Sequence, residues 1–520
     1  MNNVLLTGLA ALPILTILVL MLGARWPAAK AGAVGLVVAL FLAWLAFGYG
    51  QRTYSEIGSV FATVGALSEA VITAATILWI IIPALCLHQL QLRSGAIDTL
   101  RSAMGRLSDD PRIIALLVAW FFALFIEGAA GFGTSIALAA PFLVSVGFGP
   151  VAAVTIVLIG HSVGVSFGAV GTPVIPQIET TGLSGAAIAQ STGLYHTLLG
   201  WIMLGSAMLV VSRELKDQGK GNGGRSIWGW TALAAVFFLV PFFLIAQFIG
   251  PELPTLGGAF VGGLGFVTVF GLVQSRVGGI EKPVTPVSDD ATPRMGLLAA
   301  ASPYLILVLL VLITRLIPPL QELLSGIVWR YALFDTFSVS FQPLYQPGTL
   351  LFLSFLLGAL CQRTSLTLLR EAVVAALGQI GGVTVALIAM LGLARIMVYA
   401  GMIDILAQTA ADTAGPFWPL FAPFVGMLGT FVTGSATASN ILFTDLQLST
   451  AQNLELSVVS TVGLQGFGAA VGNIICPHNI IAGGATVGLR GEEGAVLRGT
   501  LPACLLYATL GGVIAFIGFG

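Results

Sequence analysis

The chain alternates between long apolar runs and short segments that hold most of its polar and charged residues. Most runs are long enough to cross the roughly 30 Å hydrocarbon core of a membrane as an α-helix. The pattern therefore predicts about twelve transmembrane helices, at residues 4–22, 31–48, 66–91, 149–176, 186–212, 227–249, 257–274, 297–317, 348–361, 375–400, 453–482 and 499–519.

Two further apolar stretches, residues 113–147 and 416–447, are interrupted in the middle by segments rich in glycine, serine and threonine. Irregular backbone is not tolerated against lipid, but it is tolerated where protein or water surrounds it. We therefore predict that each stretch is a re-entrant hairpin, which returns to the side of the membrane from which it entered.

Composition agrees with an integral membrane protein, because 57% of the residues are hydrophobic and only 8% are charged, against about a quarter charged in soluble domains. The sequence contains no GxxxxGK[ST] motif, which argues against an ATP-driven pump. Residues 4–22 have no charge before them and are followed by Arg25 and Lys30. We interpret them as an uncleaved span whose N-terminus faces outward.

The distribution of basic residues supports the two hairpins. With the N-terminus outside, the predicted cytoplasmic segments contain most of the 21 Lys and Arg residues, as expected for cytoplasmic loops. Counting either interrupted stretch as two full crossings would invert every later loop and remove this asymmetry. The topology therefore places both termini outside. The exceptions are Arg52, Arg315, Arg330 and Arg395.

An internal repeat relates the two halves of the chain. "GAIDTL" at residues 95–100 matches "GMIDIL" at residues 401–406, and "FIEG" at 125–128 aligns with "FVTG" at 431–434. "FGAVGTPVIPQ" at residues 167–177 also matches "FGAAVGNIICPH" at residues 467–478. An odd number of predicted crossings separates the two copies, so we predict an inverted-topology repeat, as in secondary transporters.

The repeat divides the chain into four regions. Residues 1–56 form an N-terminal two-helix segment, and residues 57–212 form the first repeat, with the hairpin at 113–147 and a glycine-broken helix at 149–176. Residues 213–371 form central helices with a cytoplasmic linker at 275–296, rich in proline and charge. Residues 372–520 form the second repeat, with the hairpin at 416–447 and a broken helix at 453–482.

The hairpin tips and helix breaks have the chemistry of an anion site. Glycines permit unusual backbone angles, and the N-terminus of a returning half-helix offers unpaired N–H groups to a carboxylate. We expect Thr134 and Ser135 to cap the first returning half-helix, and Ser439 and Asn440 the second. Small residues in membrane helices also serve close packing, which is the alternative for any one of them. The candidate substrate contacts are Gly131, Gly133, Thr134, Ser135, Gly171, Thr172, Ser435, Thr437, Ser439, Asn440 and Asn473.

Ionisable residues within spans are costly and therefore candidates for function. Glu127, beside the first tip, could take and release a proton, or could be a structural carboxylate bonded to backbone. His161, in the first broken helix, could relay protons or serve in packing. Arg395 could bind a substrate carboxylate, pair with Glu127, or bond to helix-end carbonyls. Glu69, His88, His196 and His478 are weaker candidates.

Several of these stretches resemble the L-lactate permease family. They are "FIEGAAGFGTS" (residues 125–135), "VSFGAVGTP" (165–173), "GLARIMVYAGM" (392–402), "GTFVTGSATASNILF" (429–443) and "GLRGEEGAVLR" (488–498). The resemblance implies a bacterial cytoplasmic-membrane proton symporter for L-lactate, with D-lactate or glycolate as related substrates. It also implies kinship with elevator-type carriers, in which hairpins and broken helices slide against a scaffold.

The sequence thus predicts an all-α polytopic membrane protein that takes up a small 2-hydroxy monocarboxylate together with a proton. Sodium coupling, a different organic anion and a passive anion channel remain as alternatives. A membrane enzyme or redox subunit would need a ligand pair that the four scattered histidines do not form. We expect no cofactor, metal ion, catalytic residue or nucleic-acid partner, the lipid bilayer is the expected environment, and a homodimer is left open.

Overall fold

The computed structural model describes residues 3–24, 26–51, 54–131, 133–219, 226–277, 295–334, 337–489 and 492–519. The protein is 83% helical, which confirms the prediction of a helical membrane fold. Helices α13 and α14 flank the predicted linker at 275–296, and residues 278–294 of that linker lie outside the described part of the chain.

The described residues before the linker form thirteen α-helices, and some of them are short pieces of one interrupted span. They are α1 (Asn3–Leu22), α2 (Ala28–Leu45), α3 (Gly58–Arg93), α4 (Ala96–Gly105), α5 (Pro111–Leu116), α6 (Ala123–Ala129), α7 (Thr134–Ser145), α8 (Pro150–His161), α9 (Gly168–Gly171), α10 (Ile175–Thr181), α11 (Gly185–Asp217), α12 (Trp228–Phe248) and α13 (Pro254–Val277). A π-helical segment joins α5 to α6, and 3₁₀ turns join α8 to α9 and α9 to α10.

The second half contains the helices that follow the linker. They are α14 (Leu297–Leu316), α15 (Pro318–Ser325), α16 (Pro347–Cys361), α17 (Leu366–Leu377), α18 (Ile380–Tyr399), α19 (Met402–Ala414), α20 (Trp418–Thr433), α21 (Ala436–Asn453), α22 (Val458–Gly472), α23 (Pro477–Thr486) and α24 (Glu493–Phe519). A 3₁₀ turn at Asn473–Ile475 separates α22 from α23.

Within the described residues, 13 helices are long and apolar enough to cross a membrane, one more than the hydropathy pattern predicts. Two of them, Pro111–Ala129 and Met402–Thr433, include the first arms of the predicted hairpins. Conversely, the predicted span at 348–361 is not among the 13, because its helix, Pro347–Cys361, is shorter than the others. The difference therefore depends mainly on how the hairpin arms are counted.

A β-hairpin in the loop between α15 and α16 is the exception to the all-α prediction. Strand β1 (Trp329–Leu333) pairs antiparallel with strand β2 (Phe337–Phe341). Phe337 is fully buried against α3, where a Cβ on Gly65 would lie 2.2 Å from its ring. A glycine is therefore required at position 65 for the hairpin to pack on the helices.

The helices pack around two hydrophobic cores. The first core joins α5–α8, α11–α13, α20 and α22–α24. We group α9, α10 and α21 with these helices as the hairpin unit because they complete the hairpins and breaks, although buried side chains such as Val170, Ile175 and Ile441 pack into the second core. The second core joins α1–α3, α14 and α16–α19, which we call the flanking unit. Residues near both tips and the first break, including Ala129, Val170 and Val432, pack into the second core. The tips therefore lie where the two units meet.

The repeat seen in the sequence is also present in the order of elements. In each half a left-handed glycine, Gly95 or Gly401, precedes a short helix, and a helical hairpin and a broken helix follow. The arms of each hairpin pack against each other, α6 against α7 and α20 against α21. Matching left-handed glycines are consistent with duplication, because only glycine adopts this conformation without steric cost.

Candidate functional site

The first hairpin tip joins α6 to α7 through two left-handed glycines, Gly131 (φ 59°) and Gly133 (φ 77°). Gly133 is the N-cap of α7, and no side chain caps this helix. The expected capping by Thr134 and Ser135 is therefore wrong. The Thr134 hydroxyl instead donates to the Gly131 carbonyl at 2.7 Å, which closes the tip on itself. The N-terminal N–H groups of α7 are left without a side-chain cap.

Glu127 lies just before this tip and is only 5% exposed. The Ser135 hydroxyl, on the returning arm, donates to Glu127 Oε2 at 2.8 Å. The other oxygen faces the first broken helix, where a Cβ on Gly168 would lie 2.6 Å from Oε1. The carboxylate is thus enclosed between the two arms of its own hairpin and the helix break.

The first helix break stores backbone strain. Ala169 (φ 43°, ψ 54°) and Val170 (φ 55°, ψ 45°) are consecutive left-handed residues inside α9, and Gly171 follows at φ 78°. Left-handed conformations in non-glycine residues cost energy and tend to occur at functional sites. The Thr172 hydroxyl donates to the Ala169 carbonyl at 2.6 Å and holds the turn. Ala169 also touches the first tip, since a Cβ on Gly131 would lie 3.0 Å from its Cβ.

The second hairpin tip has the same backbone plan with a different cap. Gly434 is left-handed (φ 77°), and Ser435 is the N-cap of α21, whose hydroxyl accepts from the Ala438 N–H at 3.3 Å. The expected caps, Ser439 and Asn440, lie one turn further along α21 and make other contacts. The sequence prediction placed the cap one turn too late, because several neighbouring residues here have capping side chains.

Polar contacts join the second hairpin to the broken helices. The Asn440 side chain donates to the Pro173 carbonyl at 2.8 Å, and the Ser439 hydroxyl donates to the Gly426 carbonyl at 2.7 Å. Gln465 of α22 donates to Ser439 Oγ at 3.2 Å and to Asn440 Oδ1 at 3.3 Å. Thr437 is buried in the first turn of the same helix. These contacts bring the second tip to the first break.

The two breaks also touch each other. His161 Nε2 lies 3.2 Å from Asn473 Oδ1, and His161 Nδ1 lies 2.8 Å from the Val157 carbonyl. Past Asn473 the chain becomes extended at Cys476 before α23 begins. A Cβ on Gly434 would lie 3.5 Å from Cys476 Sγ, so the second tip also rests on the second break. Two predicted site residues from different halves of the chain are therefore in contact.

Among the predicted site residues, Arg395 has its charged partner in the flanking unit. It lies on α18 in the flanking unit, where its Nε is 3.0 Å from Glu69 Oε1 on α3. Tyr399 donates its hydroxyl to the other Glu69 oxygen at 2.5 Å. The suggested pairing of Arg395 with Glu127 is therefore wrong, because Glu69 is the partner.

Two carboxyl groups near Arg395 were missed by the sequence reasoning. Glu179 on α10 and Asp445 on α21 line a small cavity together with Arg395. Glu179 lies just beyond the predicted broken helix at 149–176, and Asp445 lies within the predicted hairpin at 416–447. The argument that selected Glu127, that ionisable groups in embedded elements are candidates for function, would also have selected them.

The chain is similar in sequence to known proteins over most or nearly all of its length. The L-lactate permease family matches residues 7–519 of the chain. The L-lactate permease of Bacillus subtilis is 29% identical over 563 residues, covering 99% of this chain and 96% of the relative. The glycolate permease GlcA of Escherichia coli is 29% identical over 551 residues, covering 98% and 94%. The L-lactate permease of Streptococcus iniae is 28% identical over 452 residues, covering 86% and 91%.

Two solved structures are more distantly similar. The YdaH transporter of Alcanivorax borkumensis has a TM-score of 0.46 at 16% identity, covering 87% of each chain. MtrF of Neisseria gonorrhoeae has a TM-score of 0.46 at 15% identity, covering 88% of this chain and 84% of its own. The family match spans nearly the whole chain, including both hairpins and both breaks, and the chain therefore belongs to the L-lactate permease family.

Proposed function

We propose that the protein takes up a small 2-hydroxy monocarboxylate, L-lactate or a close relative such as D-lactate or glycolate, together with a proton across the bacterial inner membrane. The family membership supports a carrier of lactate or glycolate. The observation that carries the site is that each hairpin tip lies against a helix break, Gly131 against Ala169 and Gly434 against Cys476. The two breaks also touch each other through His161 and Asn473.

In this proposal the tips enter the membrane as re-entrant hairpins of an inverted repeat, with both termini outside. The N-terminal turns of α7 and α21 would hold the carboxylate, because helix N-termini favour negative charge. The breaks around Gly171, Thr172 and Asn473 would offer backbone and side-chain groups to the hydroxyl. Interrupted helices near the membrane midplane form such sites in other secondary transporters.

Glu127 is the proposed proton carrier at the first tip. Its Ser135 partner and its enclosure at Gly168 hold the carboxyl in one position. His161 is the second candidate, because it bridges the two breaks through Asn473. A buried carboxyl that gains and loses a proton is a common means of coupling in membrane transporters.

An elevator-like movement is the proposed transport mechanism. The hairpin unit would slide against the flanking unit and carry the substrate held at its tips. The contact between the units includes residues next to both tips, such as Ala129 and Val432. Movement at that contact would expose the site alternately to the two sides of the membrane.

Uptake of labelled L-lactate into proteoliposomes tests this function. An inward proton gradient should drive accumulation, whereas an equivalent sodium gradient should not. Stimulation by sodium alone would replace the proton claim with sodium symport. Unlabelled lactate on the opposite side should accelerate exchange in a carrier, and its failure to do so would favour a passive channel.

A further inference from the structure

A small cavity lies at the contact between the hairpin unit and the flanking unit. Thr73 of α3 and Arg395 of α18 line it from the flanking unit, and Glu179 of α10 and Asp445 of α21 line it from the hairpin unit. Its volume is about 10 Å³, which is room for roughly one water molecule. Ionisable groups from both units therefore face one confined space.

The guanidinium group at this cavity, that of Arg395, already has an ion-pair partner. Arg395 lies 3.0 Å from Glu69, which also accepts the Tyr399 hydroxyl. Within the described residues, neither Glu179 nor Asp445 takes part in an ion pair. Among the described residues, the charged neighbours of Glu179 are Arg395 and Glu69. The charged neighbours of Asp445 are Arg395, Asp404 and Glu69. Carboxyl groups thus outnumber the single guanidinium.

Thr73 gives independent evidence that the cavity holds a polar species. Its side chain is 1% exposed, and its hydroxyl oxygen has no hydrogen-bond partner. Buried hydroxyl groups are nearly always hydrogen-bonded in folded proteins, to protein or to an ordered ligand or water. The hydroxyl lines the same cavity as the two carboxyl groups, so a hydrogen-bonding guest there would satisfy it.

We propose that Glu179 and Asp445 form a second protonation site, at the contact between the two units, which is occupied and emptied during transport. Glu179 and Asp445 are partly buried. If both were ionised, two negative charges would share this confined space without a cation of their own, which is costly in a membrane. Each would take one proton from water on one side and return it to water on the other, while Arg395 stays paired with Glu69. Protonation would then favour close contact between the units, and ionisation would weaken it.

A proton suits this cavity better than a metal ion. The Arg395 guanidinium lines the same space and would repel a metal cation at short range. The described residues also contain no group of three or more His, Cys, Asp or Glu side chains arranged to hold a metal. The inference rests on the proposed function in one respect, namely that the protein couples transport to protons.

The transport test compares gradient-driven accumulation with exchange in the same proteoliposomes. We expect Glu179→Gln and Asp445→Asn each to lower the ratio of lactate accumulation to lactate exchange by about tenfold. The matched control is Glu371→Gln, which removes an exposed carboxyl paired with Arg93 at 3.7 Å and should leave the ratio unchanged. Ratios equal to wild type in both cavity variants would overturn the proposal. A sodium-dependent ratio would overturn it in favour of a sodium site.

A second measurement needs no substrate and so separates this inference from the proposed function. Infrared spectroscopy of the purified protein during a pH titration reports the C=O stretch of protonated carboxyl groups. We expect Glu179→Gln and Asp445→Asn each to remove part of that signal, with Asp445→Glu restoring it. An unchanged signal in both variants would contradict the second site. If the variants lose the signal but the wild-type protein transports no lactate, the second protonation site stands and only the proposed substrate is wrong.

Discussion

The first tip carries a buried carboxylate, Glu127, whereas the corresponding position of the second tip is Thr433. Both tips turn through a left-handed glycine and both rest on a helix break. The Thr433 hydroxyl donates to the Gly429 carbonyl within its own helix at 2.7 Å, while Glu127 accepts from Ser135 on the opposite arm. The two tips therefore share a left-handed glycine turn, and at the aligned position only the first has a carboxyl group.

The caps and breaks differ as well. Ser435 caps α21 with its side chain, whereas α7 starts at Gly133 without a side-chain cap. The first break contains two left-handed non-glycine residues, and the second is a 3₁₀ turn followed by an extended cysteine. The uncapped and strained copy is also the copy with the carboxylate. Of the two tips, the first is therefore the better candidate for coupling.

The largest effect is expected from removing the carboxyl group that distinguishes the first tip from the second. Glu127→Gln keeps the size of the side chain and an acceptor for Ser135 but cannot exchange a proton. Proton-driven lactate accumulation should fall to the level of protein-free liposomes, while some exchange remains. Thr433→Val should remove the hydrogen bonds that the hydroxyl donates to the Gly429 carbonyl and accepts from the Ser435 N–H, costing about 2 kcal/mol of stability, and retain accumulation. If Glu127→Gln accumulates lactate like wild type, Glu127 is structural and His161 becomes the next candidate.

An intermediate effect is expected from crowding each tip. A Cβ at position 168 would lie 2.6 Å from Glu127 Oε1, so Gly168→Ala should displace the carboxyl and cost about 1 to 3 kcal/mol. Gly434→Ala meets its nearest neighbour at 3.3 Å and should cost about 1 kcal/mol for its left-handed backbone. The midpoints of thermal unfolding in detergent measure both. Equal losses would show that the carboxyl has room to move.

The smallest effect concerns the caps. Ser435→Ala removes the N-cap of α21 and should cost about 1 kcal/mol. Thr134→Val removes a hydroxyl that closes the first tip without capping a helix, and should cost about 0.5 kcal/mol. Thermal unfolding under identical detergent conditions compares the two. A larger loss for Thr134→Val would mean that closure of the first tip, rather than helix capping, limits stability.

Much of the fold followed from local pattern. The apolar runs located most helices to within a few residues, because a span needs enough apolar length of its own. The glycines of both tips were identifiable from the sequence, since left-handed turns favour glycine. The order of hairpin and broken helix in each half followed from the internal repeat. These features depend on residues that are close together in the chain.

The sequence by itself determined a helical membrane protein with two glycine-rich tips, two broken helices and one unduplicated carboxylate at Glu127. Only the tertiary structure decided that Arg395 pairs with Glu69, whose hydrogen-bond partner Tyr399 lies 330 positions away along the chain. It also decided that Glu179 and Asp445 face one cavity. Hydropathy and glycine placement act within one segment, whereas the partner of a charge depends on which distant helices pack together.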